Sequence, residues 1–281
     1  MKILVTGGAG FIGSNLCEKL IVKYDVYSLD NYSIGLKSNH LEGVKYINGD
    51  VNDISHLLKN DFDVCFHLAG LSRIQPSFDN PIETFSSNTQ GVLSVINWCR
   101  INNTKLIYSG SSSKHYNHYQ SPYATFKYLG EEICKMYNKV FDMNITITRF
   151  YNVYGPKEIT SGKWAAVIGF WRDQIKRGEP ITVVGDGNQR RDFTHVDDII
   201  KALITLISSN KKTDDAWELG TGVNYSINEV ASVFVKKFKT KIIYLKDQPG
   251  NYKETLRKNT ESLEILNWSP EDKLYKYIMS L

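Results

Sequence analysis

A glycine loop near the start of the chain constrains the fold more than any other feature of the sequence. An apolar stretch over residues 3–5 leads directly into Gly7, Gly10 and Gly13. Gly7 permits a tight turn, Gly10 lets the backbone approach a pyrophosphate, and Gly13 lets the next helix pack closely on its strand. The helix that begins near Phe11 offers free N–H groups and the positive end of its dipole to that pyrophosphate. The loop therefore predicts a βα unit that binds a dinucleotide.

An aspartate at the end of the next strand indicates which dinucleotide. The apolar stretch over residues 26–29 ends in Asp30, 17 residues after Gly13. A carboxylate at this position of a dinucleotide-binding fold accepts hydrogen bonds from the adenosine ribose hydroxyls. It also repels the 2′-phosphate of NADP, so the sequence predicts NAD. The alternative is a solvated aspartate in a βα loop.

Short apolar stretches alternate with amphipathic ones over the first 150 residues, which indicates a parallel sheet buried on both faces. We expect strands at 2–6, 25–29, 44–48, 63–67, 104–109 and 145–149. We expect helices near 11–23, 53–60, 80–102 and 122–140. This pattern predicts an α/β fold with a right-handed, doubly wound parallel sheet of the Rossmann type.

The alternation loosens after Arg149, where glycine and proline interrupt the chain. We therefore expect an NAD-binding Rossmann domain over residues 1–150. A smaller C-terminal lobe over 151–281 is expected to be mainly substrate-binding. A further amphipathic helix at about 196–209 is expected to return to the sheet.

Charge and cysteine content exclude several classes of protein. The net charge of +4 is spread over the 281 residues, so no nucleic-acid partner is expected. No apolar stretch reaches membrane-spanning length, and Met1 leads directly into an expected core strand, so we expect no signal peptide. The four cysteines are far apart and form no CxxC motif, which favours buried free thiols over disulfides or a zinc site. We expect no metal, no membrane partner and a cytoplasmic location.

Tyr123 and Lys127 are candidates for the chemistry. Residues four apart share a face of a helix, so Lys127 would stand one turn from Tyr123. A free phenol titrates at about pH 10, and a nearby ammonium favours the phenolate, which could accept a proton from a sugar hydroxyl. Ser121 and Pro122 form a helix-start signal just before the pair. The alternative is an ordinary pair on a surface helix.

A serine-rich turn after the expected fifth strand is a second candidate. It contains Ser111, close to the carboxyl end of the strand at 104–109. A hydroxyl at that edge of a parallel sheet can hydrogen-bond the reacting oxygen and share its proton with Tyr123. An ordinary serine-rich turn is the alternative.

Motifs along nearly the whole chain carry a resemblance to a known family. They are the glycine loop over 6–13, the turns 30–35 and 49–51, the segments 67–70 and 88–91, and the longer motifs 149–156 and 185–198. With these motifs the chain resembles the extended short-chain dehydrogenase/reductase superfamily, and within it the NAD-dependent nucleotide-sugar epimerase/dehydratase family. It departs from the family pattern in segment 67–70, where Gly70 replaces the usual second alanine.

The resemblance implies roles for individual residues. Ser111, Tyr123 and Lys127 would be the catalytic residues. The residues implied to bind NAD are Gly7, Gly10, Phe11, Ile12, Gly13, Asp30, Asn31, Ser33, Asp50, Val51, Leu68, Ala69, Gly70, Asn88, Tyr123 and Lys127.

Two further residues are implied to bind a nucleotide-diphosphate sugar substrate. Asn152 would contact the phosphates, and Arg191 would bind the diphosphate as a charge-assisted donor. A salt bridge to Asp192 is the alternative for Arg191, and Arg190 could exchange roles with it. His195 is expected to order its loop rather than to take part in the chemistry.

The chain departs from the family pattern at three further places, all of which we expect to touch the substrate. Ser111 and Tyr123 are only 12 residues apart, about half the usual family spacing. Residues 114–115 are Lys-His where the family has Val-Tyr, and Gln248 replaces the arginine of a late Arg-Pro-Gly motif. The sequence therefore does not predict which sugar is bound.

The residues after Ser111 indicate the reaction. Family members that eliminate water carry an acidic pair in this turn and decarboxylases keep a glutamate, whereas this chain has Ser112 and Ser113. Elimination from a keto intermediate needs these proton carriers, and epimerisation does not. We therefore expect an NAD-dependent nucleotide-sugar 4-epimerase that works through a transient 4-keto sugar. The alternatives are a dehydratase, a 4-keto-sugar epimerase/reductase, or a catalytically silent dinucleotide-binding scaffold.

Two of the expected helices bear on the oligomeric state. The helices near 80–102 and 122–140 carry more apolar residues than one sheet face can cover, among them Val92, Val95, Ile96, Leu129, Ile133 and Met136. In the family the equivalent helices pair across a two-fold axis, so the resemblance implies a homodimer. The alternative is that these residues complete the core of the monomer.

Overall fold

The central feature of the computed structural model, which describes residues 1–59, 61–213 and 215–281, is a parallel β-sheet. The strands of the protein are β1 (Lys2–Thr6), β2 (Asp25–Asp30), β3 (Val44–Asn48), β4 (Val64–His67), β5 (Lys105–Ser111), β6 (Ile145–Phe150), β7 (Val153–Tyr154), β8 (Ile181–Val184), β9 (Arg190–Asp192), β10 (Thr194–His195), β11 (Trp217–Leu219), β12 (Asn224–Ser226) and β13 (Ile242–Leu245). Seven of them form the sheet in the order β11-β6-β5-β4-β1-β2-β3, and all neighbours are parallel. The strand order reverses between β1 and β4, where a crevice opens beyond the carboxyl ends of the strands.

The observed sheet confirms the predicted α/β fold with a doubly wound parallel sheet. Both of its faces are covered, so its inner strands are continuous apolar stretches, and residues 3–5 of β1 are completely buried. The six expected strands lie within two residues of their predicted bounds. A seventh strand, β11, extends the sheet beside β6 and was not predicted, because three residues are too few to show a period.

Helices cover both faces of the sheet and build the rest of the molecule. They are α1 (Phe11–Leu20), α2 (Ile54–Leu57), α3 (Ile74–Asp79), α4 (Pro81–Phe85), α5 (Gly91–Ile101), α6 (Pro122–Phe141), α7 (Val167–Lys176), α8 (Val196–Ser208), α9 (Ile227–Phe238), α10 (Glu261–Leu266) and α11 (Leu274–Ser280). Short 3₁₀ turns lie at Lys37–Asn39, Val51–Asp53, Ser112–His115 and His118–Gln120. The single helix expected near 80–102 is divided into α4, a π-helical turn at Ser86–Gln90, and α5.

Two hydrophobic layers hold these helices on the sheet. Leu16 and Leu20 of α1 pack with Ile199 and Leu203 of α8 on one face. On the other face, α2, α5 and α6 contribute to a second layer that includes Cys134. Helix α8 therefore packs on the main sheet, although the chain leaves that sheet after β6.

The second lobe has a separate core and three small sheets. The pairs β7/β10 and β8/β13 are parallel, and β9/β12 is antiparallel. Trp171 of α7, Phe234 of α9 and Ile278 of α11 are buried together in this core. The lobe stands beside the carboxyl edge of the main sheet, and its residues form one wall of the cavity described below.

The exposed apolar residues of α4, α5 and α6 differ in part from those expected. Val92, Val95 and Ile96 are buried in the monomer core, so the expectation that they exceed what the sheet covers is wrong. Leu129 and Met136 are 38% and 44% exposed. Among the described helices, none has the length and apolar character needed to cross a membrane.

Candidate active site

One cavity of about 800 Å³ runs along the carboxyl edge of the sheet, from the glycine loop to the second lobe. It brings together all of the residues that the sequence predicts for catalysis, cofactor binding and substrate binding. These are Gly7, Gly10, Phe11, Ile12, Gly13, Asp30, Asn31, Ser33, Asp50, Val51, Leu68, Ala69, Gly70, Asn88, Ser111, Tyr123, Lys127, Asn152 and Arg191. Parallel strands end at the same edge, which is why residues far apart in the chain meet there.

The glycine loop forms a cradle that side chains would fill. Gly7 has a φ of +74°, and a Cβ there would lie 2.8 Å from the backbone nitrogen of Ala69. A Cβ on Gly13 would collide with the carbonyl oxygen of Gly7. Helix α1 begins at Phe11, so the N–H groups of its first turn have no partner within the helix. The loop therefore has the room and the donors that a pyrophosphate needs.

Asp30 is buried at the end of β2, and two backbone groups orient its carboxylate. Its Oδ2 accepts a hydrogen bond from the N–H of Ala9 at 2.9 Å, and its Oδ1 accepts one from Tyr32 at 2.8 Å. Each oxygen keeps a further lone pair. Nearby, Asn31 donates to Asp50 at 2.8 Å, which joins two of the predicted cofactor residues.

Asn88 connects the π-helical turn to the loop after β4. Its Oδ1 accepts from the N–H of Leu71 and its Nδ2 donates to the Leu71 carbonyl, both at 2.8 Å. A Cβ on Gly70 would lie 3.0 Å from this Oδ1, which is a tight contact. The glycine at this position thus leaves space for the Asn88 side chain.

Tyr123, Ser111 and Lys127 converge at the middle of the cavity. Helix α6 begins at Pro122 as predicted, with the Ser121 hydroxyl accepting from the N–H of Ala124. The Tyr123 hydroxyl lies 3.5 Å from Ser111 Oγ. Lys127 Nζ donates to the carbonyl oxygen of Ser109 at 2.5 Å.

The groups that shift the pKa of Tyr123 differ in part from the expected Lys127 ammonium. Burial raises the pKa of Tyr123, whereas the Ser111 hydroxyl and the Arg73 guanidinium lower it. Burial also lowers the pKa of Lys127 to about 8, against the opposing effect of Glu131. No sequence pattern indicated Arg73, because it lies between two motifs and comes near Tyr123 only in the folded protein.

A buried ionic network behind the site was also missed. Arg149 is fully buried and binds Glu131 through Nε and Nη2 and Glu218 through Nη1. Glu131 Oε1 accepts the backbone N–H of Ser111 at 3.2 Å. Tyr151 donates to Glu218 at 2.8 Å. The one available signal was the spacing of four residues between Lys127 and Glu131, which places both on one face of α6.

The Lys-His pair of the shortened loop, which we expected to contact substrate, does not line the cavity. Lys114 forms an ion pair with Glu132 at 2.8 Å, and His115 bonds Glu218 at 2.7 Å. Both side chains therefore anchor the loop to the network and to α6. Gln248, by contrast, does line the cavity.

Asn152 and Arg191 line the end of the cavity that the second lobe covers. Asn152 Nδ2 donates to the Asp192 carbonyl at 3.2 Å, and Arg191 Nη2 donates to Asn251 at 2.7 Å. Burial lowers the pKa of Arg191 to about 10. The Asp192 carboxylate accepts from backbone groups such as the N–H of Gly222 and forms no salt bridge with Arg191 among the described residues.

Two neighbouring side chains take other positions. Arg190 pairs with Glu229 at 3.1 Å and does not line the cavity. The ring of His195 accepts the N–H of Asp197 at the start of α8, which is the ordering position expected for it.

Glu158, in the segment after β7, is a cavity residue that no sequence pattern indicated. Its Oε1 accepts from Arg172 at 3.0 Å, whereas its Oε2 is buried without a hydrogen-bond partner among the described residues. Burial raises the pKa of Glu158 to about 7. The carboxyl group is therefore protonated in part at neutral pH.

Comparisons with known proteins agree with this geometry. The model of the NAD dependent epimerase/dehydratase family matches residues 3–220. A protein of Methanocaldococcus jannaschii, provisionally assigned as a UDP-glucose 4-epimerase, is 34% identical over 96% of this chain and 93% of its own length.

Two solved structures have nearly the same fold. The UDP-N-acetylglucosamine 4-epimerase of Methanobrevibacter ruminantium M1, in complex with UDP-N-acetylmuramic acid, has a TM-score of 0.89 at 29% identity. The UDP-glucuronic acid 4-epimerase of Bacillus cereus, in complex with UDP-glucuronic acid and NAD, has a TM-score of 0.88 at 29% identity. In each case the match covers 99% of this chain and 96% of the other.

Proposed function

The chain belongs to the NAD-dependent epimerase/dehydratase family, and we propose that it is a nucleotide-sugar 4-epimerase that retains NAD through its cycle. The observation that carries this proposal is the cavity wall beside Tyr123 and Ser111, where serines stand in place of proton-carrying acids.

The residues of the glycine loop and of the turn after β2 fit NAD. The cradle of Gly7 and Gly13 has room for a pyrophosphate, and the Asp30 carboxylate keeps lone pairs for the ribose hydroxyls. When bound, NAD supplies reversible hydride transfer at the sugar carbon that bears the reacting hydroxyl. The solved Bacillus cereus epimerase holds NAD together with its nucleotide sugar, which supports this assignment.

The proton is handled by this chain's own residues. Burial favours the neutral phenol of Tyr123, whereas the positive charges of Arg73, of Lys127 and of bound NAD⁺ favour its phenolate. As the phenolate, Tyr123 takes the proton of the sugar's 4-hydroxyl onto its phenolic oxygen and later returns it. Ser111, at 3.5 Å from that oxygen, hydrogen-bonds the same substrate oxygen. Lys127 supplies positive charge from a position fixed by the Ser109 carbonyl. Asn152 and Arg191 bind the diphosphate at the far end of the cavity.

The turn after Ser111 favours epimerisation over elimination. Ser113 Oγ donates to Ser111 Oγ at 2.9 Å, so this turn holds hydroxyls where a dehydratase needs an acid and a base. Glu158, whose pKa burial raises to about 7, is the residue through which a dehydratase could still act. Its carboxylate is bonded to Arg172 rather than to the serine turn.

The decisive experiment is incubation of the NAD-loaded protein with UDP-galactose, UDP-N-acetylgalactosamine and UDP-glucuronate, with products followed by proton NMR. We expect interconversion of at least one pair of C4 epimers without net consumption of a nicotinamide. Tyr123→Phe should lower turnover by about 10²–10⁴-fold, since a positioned acid–base group contributes that much. Tyr119→Phe is the matched control, because Tyr119 is 82% exposed and does not line the cavity.

Other outcomes would contradict the proposal. A stable 4-keto-6-deoxy product that Glu158→Gln abolishes would identify a dehydratase. Net consumption of NADPH would identify a reductase. NAD binding without conversion of any of these sugars would favour a scaffold.

We also propose that two copies of the chain associate through α4, α5 and α6. Ile82 of α4 and Leu129 and Met136 of α6 are exposed, and exposed apolar side chains on neighbouring helices favour an interface. A two-fold contact suits it, because one patch then covers the same patch on the other copy.

A further inference from the structure

Arg73 occupies a backbone conformation that favours glycine, at the junction between β4 and α3. Its φ is +103° and its ψ is +136°, a region that L side chains rarely adopt. A glycine would adopt this conformation without strain, whereas the arginine that stands here is strained. Such outliers gather at functional sites, where the surrounding structure holds them.

The guanidinium of Arg73 is held at one end and unpaired at the other. Nε donates to the carbonyl oxygen of Trp164 at 3.0 Å, which fixes the plane of the group. In the described part of the chain, Nη1 and Nη2 donate to no protein atom, and no carboxylate oxygen lies within 4.0 Å of the guanidinium. Arg149 and Arg257, which are buried, donate from all of their nitrogens to carboxylates or carbonyls.

This unpaired cation lies in the cavity beside the reacting atoms. Arg73 lines the cavity and is close enough to Tyr123 and Glu158 to interact with both electrostatically. Glu158 forms its ion pair with Arg172 at 3.0 Å and none with Arg73 among the described residues. Lys163 lines the same cavity and adds a second positive charge. A substrate group placed here would meet the unpaired N–H donors of the guanidinium.

The chemistry of that group follows from its position next to the reacting carbon. A planar guanidinium with two free NH₂ groups matches a carboxylate, to which each group donates one of two parallel hydrogen bonds. In a hexuronic acid the carboxylate is attached to C5, the carbon next to C4. A 4-hydroxyl bonded to Tyr123 would therefore bring that carboxylate near Arg73, whereas a neutral hexose offers only a hydroxymethyl group.

We propose that Arg73 binds the C5 carboxylate of the sugar, so that the preferred substrate is a nucleotide-linked uronic acid. This inference rests on the proposed function, because it uses the placement of the 4-hydroxyl at Tyr123. Arg73 is then the residue that determines sugar specificity.

The test is the dissociation constant of the NAD-loaded protein for UDP-glucuronate and for UDP-glucose, which differ only at C6, with UDP alone as reference. We expect the wild type to bind UDP-glucuronate at least tenfold more tightly than UDP-glucose. Arg73→Gly, whose backbone suits this φ, should reduce that preference to less than threefold. Arg100→Ala is the matched control and should keep the preference, since Arg100 is exposed and does not line the cavity.

The outcomes separate the inference from the proposed function. A wild type that prefers UDP-glucose, or binds neither sugar better than UDP, would overturn the inference. A preference that survives in Arg73→Gly would also overturn it. A preference for UDP-glucuronate that depends on Arg73, in a protein that does not epimerise it, would support the inference and contradict the epimerase proposal. Because the readout is a ratio of two affinities in one variant, a general loss of stability does not imitate the expected result.

Discussion

Single side chains of the cavity are held mainly by the backbone rather than by one another. Asp30 accepts from two backbone N–H groups, Lys127 donates to a backbone carbonyl, and Asn88 bonds both backbone groups of one residue. The fold sets the positions of these backbone partners. A conservative substitution at such a residue therefore changes its charge more than its placement.

Asp30 is expected to determine the choice between NAD and NADP. The 2′-phosphate of NADP would meet this carboxylate, and the nearest downstream basic residue, Lys37, lies over the ring of Tyr32 at 5.7 Å. Like charges this close cost several kcal/mol, so NAD should bind more tightly by about two orders of magnitude or more. Calorimetric titration with NAD and with NADP measures the two dissociation constants. Asp30→Ala should reduce the ratio between them. Equal affinities in the wild type would contradict the assignment of Asp30.

Glu158 is expected to make stability depend on pH. Its pKa in the folded protein, about 7, lies above the usual 4.5, so the folded state binds the proton more tightly than the unfolded state does. The protonated Glu158 therefore contributes its full stabilising effect on the folded state below about pH 4.5, and this effect is lost as the pH rises through 7.

Glu158→Gln should therefore match the wild type near pH 4.5 and exceed it at pH 8, by on the order of 3 kcal/mol. Urea unfolding at the two pH values measures the difference. Glu42→Gln, at an exposed position, should show no such change between them. A constant difference between Glu158→Gln and the wild type would show that Glu158 is not buried in its neutral form.

At the scale of elements, β5, β6 and α6 act as one unit because Arg149 and Glu131 join them. Arg149 extends from β6 and Glu131 from α6, and Glu131 also accepts the N–H of Ser111 at the end of β5. The distance between Ser111 and Tyr123 thus depends on an ion pair that lies outside the cavity. Breaking a buried pair is costly because it leaves one charge uncompensated.

Glu131→Gln is expected to lower both stability and turnover. Loss of one partner of a buried pair costs about 3–5 kcal/mol, which should lower the Tm by roughly 10 °C. Turnover should fall as well, because Ser111 loses its anchor. Glu132→Gln, on the next residue of α6, removes partly exposed pairs with Lys114 and Lys135 and should cost about 1 kcal/mol or less. Thermal unfolding of both variants measures this, and equal effects would contradict a special role for Glu131.

The elements differ in how far the sequence could predict them. The inner strands were predictable because burial on both faces makes them wholly apolar, and the start of α6 because Ser121 and Pro122 give a local signal. The π-helical turn at Ser86–Gln90 was not predictable from the sequence, because it accompanies a contact between Asn88 and the backbone of Leu71, 17 residues earlier. Arg73 and Glu158 were missed for the same reason, since each acquires its environment only when the second lobe meets the sheet.

At the scale of the whole molecule, two lobes form the cavity and one helical face is left uncovered. The main sheet supplies the glycine loop and the Tyr123 region, and the second lobe supplies Arg191 and Gln248. The uncovered face lies on α4, α5 and α6, where Leu129 and Met136 are exposed. Its apolar character favours association, which the proposed homodimer provides.

The protein is expected to sediment at twice its chain mass of 32.1 kDa at micromolar concentration. Leu129→Asp should convert it to a monomer, because a charge would be buried in the contact without a partner. Val22→Asp is the control, since Val22 is 77% exposed and lies outside α4, α5 and α6. Analytical ultracentrifugation measures all three proteins, and a monomeric wild type would contradict the dimer.

The return of α8 to the main sheet has a consequence for how the protein could be divided. A fragment that ends near residue 150 would lack both α8 and β11, so the apolar side of α1 and the edge of β6 would face water. An open strand edge of this kind invites aggregation. We therefore expect that residues 1–150 do not fold as an independent domain, because the main sheet needs α8 and β11 from the later part of the chain. Loops around the cavity could be exchanged between related proteins without this cost.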